Sequence, residues 1–376
     1  MSGAGAGAAP VAAVVLAAGR SSRMGAFKPL LPLAGTTVIG HVVAALRAGG
    51  IDEIRVVIGH RAAGLAPVLA DLGVSAVVNP DPDRGMYSSL TCGLAALPAT
   101  ITAALVLPVD VPLVRPATLA AIAARAARGD VLVVHPTFEG QRGHPPAIDR
   151  RLFAEILGGD GVGGLAAVLA RHAAQSLDLP VIDHACLWDM DRPEDHARLA
   201  AAARRRDLLD PAEIAALFDR CAVAAPVRAH GRAVAARAVA IADGLADAGV
   251  ILDRDLIAAA AELHDLAKGQ PDHAEAGARI LAEFGFAGVA AVVARHMTLP
   301  FADGDPIDAA VVVHLADKLV AGTADTSLEA RFAAAFARFR DDPAALAGAR
   351  RRHDDARAML RAVTAVTTAA DRRASP

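Results

Sequence analysis

Aromatic side chains are scarce in this chain, at 3% of 376 residues. A protein that holds single-stranded nucleic acid needs aromatic platforms for the bases, so that class is excluded. The formal net charge of −3 leaves no basic footprint for duplex DNA or RNA. Only three cysteines are present (Cys92, Cys186 and Cys221), far apart and without a CxxC pair. That usage fits reduced thiols in a cytoplasmic protein and excludes a disulfide framework. No segment reaches the roughly 20 uncharged apolar residues of a membrane span. The opening MSGAGAGAAPVAAVVLAAG has an apolar run, but no basic residue precedes it and a glycine loop follows at once. It therefore reads as a first strand and not as a leader.

Apolar residues make up 54% of the chain and charged ones 21%, a folded composition whose core must be built from Ala, Leu and Val. The length exceeds one comfortable domain. In the first half, short β-branched runs (VAAVVLA, EIRVVIG, SAVVN, AALVLPV, DVLVVHP) alternate with helix-like stretches such as TVIGHVVAALRAGG and ATLAAIAARAARG. Alternation of this kind predicts a mostly parallel sheet with helices on both faces and ligands beyond the carboxyl ends of the strands. The texture changes after DMDRPEDHARLAAAARRRD. Asp210, Pro211 and Glu213 then form a helix-start signature, and helix follows helix with no convincing strand. The expected division is 1–205, 206–345, and a C-terminal helix with a frayed tail over 346–376.

The stretch LAAGRSSRMGAFKPLLPLAG interrupts a run of small apolar residues with glycines, two arginines and a lysine. Gly19 and Gly25 permit close backbone approach, Ser21 and Ser22 add hydroxyls, and Arg23 and Lys28 add positive charge. Such a bend suits a triphosphate, whose negative charges backbone N–H groups and cations can share. A solvated turn is the plain alternative. The spacing is neither GxxxxGK[ST] nor GxGxxG. Asp110 ends the apolar run AALVLPVD, where a carboxylate can hold Mg²⁺ against nucleotide phosphates or simply cap a turn. Asp189 and Asp191 are further candidates for that metal, Asp191 also as the cap of the helix at PEDH.

This loop resembles the LAAGxSxRMGxxK signature of MobA-like nucleotidyltransferases, particularly the molybdenum cofactor cytidylyltransferases. NPDPDRGMYSSLTCGL, LPVDVPLV, GHPPAI and DMDRPED match further family segments in order, over about residues 11–200. The resemblance implies a Rossmann-like α/β fold of the nucleotide-diphospho-sugar-transferase type. It places Leu16, Ala17, Ala18 and Gly19 along the nucleotide, and Arg23 and Lys28 on its phosphates. It brings Asn79, Gly85, Ser88 and Ser89 near base or ribose. LAAG, in place of the LAGG of guanylyl-transferring relatives, favours CTP. The implied reaction is attack of an acceptor phosphate on the α-phosphorus with loss of pyrophosphate. Asp110, Arg23 and Lys28 are then the catalytic groups, acting by alignment and charge neutralisation. The implied acceptor is molybdopterin, with a molybdoenzyme as a possible client. A sugar phosphate or another cofactor precursor is the alternative acceptor, and a non-catalytic cofactor-delivery protein is a third reading. The family's GDxGxR segment is GDGVGG here, with Gly164 where an arginine is often found.

In the helical half, His264 and Asp265 are adjacent within an otherwise apolar helix, which is costly unless both have partners; metal coordination is the simplest way to supply them. Lys268, one turn on, is expected on the same face as His264, able to meet a phosphate. Gly269 and Pro271 are expected to end that helix, and Asp272 with Glu275 to cap the next, with His273 at its mouth. HDLAK and HLADK resemble segments of the HD-domain phosphohydrolases, over about residues 225–325. The resemblance implies an all-α domain in which His230, His264, Asp265 and Asp317 bind one metal. His273 and His296 complete a second, and Lys268 joins the catalytic set. Mixed His and carboxylate ligation suits Fe, Mn or Zn better than Ca. His314 is expected to pack or bond locally.

Overall fold

The computed structural model describes residues 9–374, with side chains described as far as residue 369. The chain divides into two compact units, Met1–Arg206 and Asp207–Pro376.

The first unit is built on the strand β1 (Val11–Leu16), and its alternation sets the layers. Ala13 and Val15 enter one apolar cluster, while Ala12, Val14 and Leu16 enter another on the opposite face. A small hairpin, β2 (Pro32–Leu33) and β3 (Thr36–Thr37), leads into α1 (Val38–Ala48). The Thr37 hydroxyl accepts from the Gly40 N–H and caps that helix. Next come β4 (Glu53–Ile58), α2 (Ala62–Asp71), β5 (Ser75–Val78) and α3 (Met86–Ala95). β6 (Ala103–Pro108), α4 (Pro116–Ala126), β7 (Val133–Phe138), β8 (Gln141–Arg142) and β9 (Ala147–Asp149) follow. The unit closes with α5 (Phe153–Gly158), α6 (Gly164–Arg171), β10 (Ser176–Pro180) and α7 (Pro193–Ala203).

The strand order is β10-β7-β9-β6-β1-β4-β5, with β8 paired to β7. β1 runs parallel to both β4 and β6, whereas β9 is antiparallel to β6 and β7. The chain steps outward from β1 through β4 and β5, then returns to the other side at β6. This reversal is the switch point at which open α/β sheets leave a crevice beyond the strand ends. The loops after β1 and β6 border it. α3 lies against the sheet because Gly93 has no side chain: a Cβ there would sit 2.3 Å from Val14 Cγ1. With few aromatics available, close approach of this kind fills the core.

The second unit contains α8 (Pro211–Arg220), α9 (Ala225–Asp247), α10 (Arg254–Leu263), α11 (His273–Glu283), α12 (Ala287–Val293) and α13 (Ala309–Lys318). Asp210 and Glu213 form the reciprocal capping box of α8, as the helix-start signature requires. A two-stranded hairpin, β11 (Val320–Ala321) and β12 (Ala324–Asp325), interrupts the helices where none was expected. α14 (Leu328–Arg338) and α15 (Pro343–Ala374) complete the unit. α15 packs on α9, α13 and α14. It continues to Ala374 where fraying was expected, and Ser375 and Pro376 lie outside the described residues.

Two expected helix boundaries move. α10 ends at Leu263, so His264, Asp265 and Lys268 stand in tight turns beyond it. The Asp272 side chain does not cap α11; its backbone takes φ 49°. Among the described residues, no helix is long and apolar enough to cross a membrane.

α9 and α10 cross closely at Gly231, where a Cβ would lie 2.2 Å from the Glu262 carbonyl oxygen. Because the obstacle is backbone, Gly231→Ala is expected to destabilise the second unit by about 1–3 kcal/mol, the cost of overpacking. Calorimetric unfolding checks this: an unchanged second-unit transition would show that the crossing tolerates a side chain.

Candidate active sites

Beyond the carboxyl end of β1 the backbone turns sharply. Ser21 (φ 56°) and Gly25 (φ 69°) both take left-handed angles and bracket one short turn, Ser22–Met24. Buried Met24 anchors the turn, and the Ser21 hydroxyl accepts from the Lys28 N–H. The loop edges are fixed by backbone bonds from Ala17 N–H to the Val57 carbonyl and from His60 N–H to the Ala18 carbonyl. The resulting cleft, about 310 Å³, is lined by Leu16, Ala17, Ala18, Gly19, Arg23 and Lys28. Gly85, Ser89 and Asp110 reach it from other elements.

At its floor the Lys28 ammonium lies 2.9 Å from Asp110 Oδ2 and 2.8 Å from Asp191 Oδ1. Arg23 reaches the other oxygen of Asp191 at 2.7 Å. Burial works against the charge on Lys28, but the hydrogen bonds it donates to Asp191 and Asp110 outweigh that and raise its pKa. The hydrogen bond from Lys28 likewise holds the Asp191 carboxyl below its usual range. Asp191 is therefore a member of the site and not a helix cap. The N-cap of α7 is Arg192, and Asp195 accepts from the N–H groups of Asp191 and Arg192. Asp189 is exposed.

Asn79 and Ser88 do not line the cleft. Asn79 is buried, giving its amide hydrogens to the Ser88 and Ser89 hydroxyls and accepting from Asp81 N–H. It shapes the loop that delivers Gly85 and Ser89. Sequence reasoning also passed over Arg20, which lines the cleft and forms a bidentate pair with Asp83 at 2.7 Å. The segment after Asp110 is held from behind by fully buried Asp183. Asp183 accepts from the Arg115 N–H at 2.8 Å and also pairs with Arg206. Neither carried a local motif; a lone Asp in VIDHACL gives no signal of its own.

In the second unit, His230 from α9, His264 and Asp265 after α10, and Asp317 from α13 come together in the interior. His273 opens α11, and His296 follows α12. Two triads have ligand atoms within 4.8 Å of one another: His230, His264 and Asp265, and Asp265, His273 and His296. Asp265 belongs to both. Its Oδ2 lies 3.4 Å from His264 Nε2, and its Oδ1 3.3 Å from His273 Nε2. Asp317 Oδ1 lies 3.2 Å from His230 Nε2 and 3.6 Å from His264 Nε2.

The second contacts of the histidines decide what fits. The Nδ1 atoms of His230, His264 and His296 lie 2.7–2.8 Å from the carbonyls of Gly322, Ala261 and Val293. A carbonyl only accepts, so each Nδ1 carries a proton, and each Nε2 faces the interior, where a metal ion would take its lone pair. His264 Nε2 is buried without a hydrogen-bond partner. Lone pairs and carboxylates facing one another call for cations, and N/O donors in this arrangement fit divalent transition metals. Burial pushes His264 down, yet Asp265 and Asp317 hold it up at about 9, which shows how strongly these carboxylates attract positive charge. Burial would also raise Asp265, but His264 and Lys268 bring it well below the usual range.

Lys268 meets Asp265 Oδ2 at 2.5 Å and does not share the His264 face; its side chain is half exposed. Lys318, which sequence reasoning overlooked, meets Asp317 Oδ2 at 2.6 Å. His314 is fully buried with neither ring nitrogen hydrogen-bonded, so it packs and does not bond locally.

Comparison with known proteins matches residues 13–176 to the MobA-like NTP transferase domain and residues 227–322 to the HD domain. Rv0371c from Mycobacterium tuberculosis H37Rv is 30% identical over 52% of this chain and 99% of its own, with a TM-score of 0.46. A nucleotidyl transferase from Methanothermobacter thermautotroptrophicus is 30% identical over 52% of this chain and 98% of its own, also with a TM-score of 0.46. Residues 13–176 thus form a MobA-like NTP transferase domain. The chain joins that domain to an HD domain. Among curated relatives, the bifunctional protein GlmU of Halorhodospira halophila is 41% identical over 30% of this chain and 24% of its own length. CMP-5'-(3-aminopropyl)phosphonate synthase of Streptomyces rubellomurinus is 39% identical over 20% of this chain and 13% of its own. The chain spans about a quarter of the length of the first curated relatives it matches.

Because Asp265 belongs to both triads, Asp265→Ala is expected to abolish any metal binding at either triad. His230→Ala should weaken one ion and spare the other. Metal content per chain after loading with Mn²⁺ or Zn²⁺ reads this directly. Wild-type stoichiometry in Asp265→Ala would remove the shared-ligand assignment.

Proposed function

We propose that the transferase domain moves a nucleotidyl group from a Mg²⁺-bound nucleoside triphosphate, CTP by preference, to a phosphorylated acceptor, with molybdopterin as the leading acceptor. The observation that carries this reading is the Lys28 ammonium set between Asp110 and Asp191 in a cleft walled by the backbone of residues 16–19. Two carboxylates with open space above them fit the few protein ligands that Mg²⁺ takes alongside nucleotide phosphates. When bound, the ion supplies charge neutralisation at the phosphates. Lys28 and Arg23, each already within reach of a carboxylate, take up the negative charge that gathers as pyrophosphate departs. One acceptor phosphate oxygen forms a bond to the α-phosphorus, and the bond to the β-phosphate bridge breaks. The attacking oxygen is already anionic, so the chain needs no general base.

The preference for CTP rests on Ala18 in the LAAG segment and on the resemblance to cytidylyl-transferring enzymes. The name of the Streptomyces relative, which places CMP on a phosphonate, supports the same nucleotide. A second reading keeps the chemistry and replaces the acceptor with a sugar phosphate or another cofactor precursor; Gly164, in the family's arginine position, favours it. A non-catalytic delivery protein serving a molybdoenzyme is the remaining rival.

For the HD domain we propose hydrolysis of a phosphoester. The five residues of its two triads, with Asp317 beside His230 and His264, fit one or two ions of Fe, Mn or Zn, which when bound would polarise a phosphate ester. Lys268, half exposed beside Asp265, meets the phosphate.

Pyrophosphate release from each of the four ribonucleotides, with molybdopterin or N-acetylglucosamine 1-phosphate as acceptor, tests the transferase reading. Release is expected with CTP and molybdopterin. Asp110→Asn should lower it about 10²–10³-fold, the scale of losing one electrostatic stabiliser. Release with the sugar phosphate alone would transfer the acceptor assignment to the second reading, and a folded Asp110→Asn chain at wild-type rate would defeat catalysis at this site.

A further inference from the structure

The two carboxylates that flank Lys28 stand on chain segments that meet again behind the cleft. Asp110 opens one segment, whose residues 111–115 are all buried. Asp191 closes the other, which begins at the fully buried Asp183. Asp183 joins the two, accepting from the Arg115 N–H at 2.8 Å through Oδ2 and pairing with Arg115 Nη1 at 3.4 Å through Oδ1. Arg206 makes the same connection from another side. Its Nε donates to the Leu113 carbonyl at 2.7 Å, and its Nη2 donates to Asp183 Oδ1. One planar guanidinium thus holds the Asp110 segment with one N–H and the Asp191 segment with another. Arg206 is the last residue of the first unit and lies beyond residue 176, where the match to the transferase domain ends.

We propose that Arg206 is a positioning residue for nucleotidyl transfer, fixing the spacing of Asp110 and Asp191 across the nucleotide cleft. The inference rests on the nucleotidyl-transfer reading and deepens it. Lys28 and Arg23 bond the two carboxylates within the cleft, but they turn to the phosphates once a nucleotide enters. The frame that then keeps the carboxylates at a set distance has to come from behind. Mg²⁺ demands near-ideal octahedral geometry, so the oxygens offered to it must be held in place. Asp183 and Arg206 hold them from a site screened from water, where charge-assisted hydrogen bonds are strong. Arg206 is not among the residues that line the cleft, so it acts through the two aspartates and does not touch the nucleotide. A lysine cannot take its place, because a single ammonium lacks the rigid fork that meets a carbonyl and a carboxylate at once.

Full-length Arg206→Met and Arg206→Lys, each alone and combined with Asp110→Asn, test this against wild type. CTP is titrated calorimetrically with and without Mg²⁺, pyrophosphate release is followed, and a thermal melt shows that each chain is folded. Arg206→Met is expected to cut the Mg²⁺-dependent gain in CTP affinity about tenfold, the scale of one lost charge-assisted hydrogen bond, and to leave Mg²⁺-free affinity unchanged. Turnover at saturating CTP should fall about 10–100-fold, the reach of a misplacement near 1 Å. Arg206→Lys, which keeps the charge, should show nearly the same losses, and it decides the matter if Arg206→Met does not fold. On top of Asp110→Asn, either substitution should lower turnover little further, since the group being positioned is gone. Wild-type Mg²⁺ dependence in a folded Arg206→Lys chain would overturn the proposal. So would equal losses with and without Mg²⁺, or losses that repeat in full beside Asp110→Asn, either of which marks Arg206 as a prop of the fold alone. Wild type that binds Mg²⁺ with CTP but releases no pyrophosphate would sink the transferase reading and leave the affinity pattern to judge Arg206. Wild type with no Mg²⁺-dependent CTP binding would overturn both.

Discussion

The first unit is organised around one ammonium group shared by two carboxylates. Lys28 comes from the loop after β1, Asp110 from the end of β6, and Asp191 from the segment before α7. These stretches are far apart in the chain, and the sheet brings them together only because β1 and β6 are neighbours at the point where the strand order reverses. Lone carboxylates at such an edge repel one another. With Lys28 and Arg23 between them they become a balanced cluster, and the loop that carries both cations is fixed as a result. Backbone N–H groups and positive side chains then face the same cleft, as an anionic chain of phosphates requires.

The HD domain meets the same electrostatic demand with different donors. Its two aspartates are almost wholly buried, where an uncompensated charge costs several kcal/mol. Histidine rings answer that cost only in part, because three of them spend one N–H on backbone carbonyls and leave only Nε2 for the carboxylates. The hairpin that supplies Gly322 thus orients His230 from outside the ligand set. Lys318 takes the Asp317 oxygen turned away from the histidines, and Lys268 shares Asp265 Oδ2 with His264. Oxygen ligands at a solvent edge suit a hard ion that arrives with its nucleotide, whereas buried nitrogen and oxygen ligands suit a resident transition metal.

Much of this was legible in the sequence for a local reason. Phosphate loops and helix caps depend on residues a few positions apart, so LAAGRSSRMGAFK and Asp210–Glu213 declare themselves. The alternation of strand and helix gave the layers, since a parallel sheet needs a crossover after each strand. Reading failed where the deciding partner was distant. Asp191 looked like a cap because it precedes a helix, but Lys28 and Arg23, more than 160 positions earlier, claim its side chain. Asn79 looked like a ligand contact, but Ser88 and Ser89 take both its amide hydrogens. The continuous helix expected through His264 and Lys268 gives way to turns, so Lys268 meets Asp265 and not the face of His264.

The sequence by itself determined the residue types, their order and the two chemistries: an all-oxygen pair with cations in the first half, and histidines with aspartates in the second. It did so because charge and donor type belong to side chains and survive any rearrangement of the chain. Only the tertiary structure decided which groups meet. It gave Asp265 to both histidine triads and set Asp183 behind the loop of Asp110. Those outcomes depend on strand order and helix crossings, which are settled by packing across the whole core and are written in no single stretch of residues.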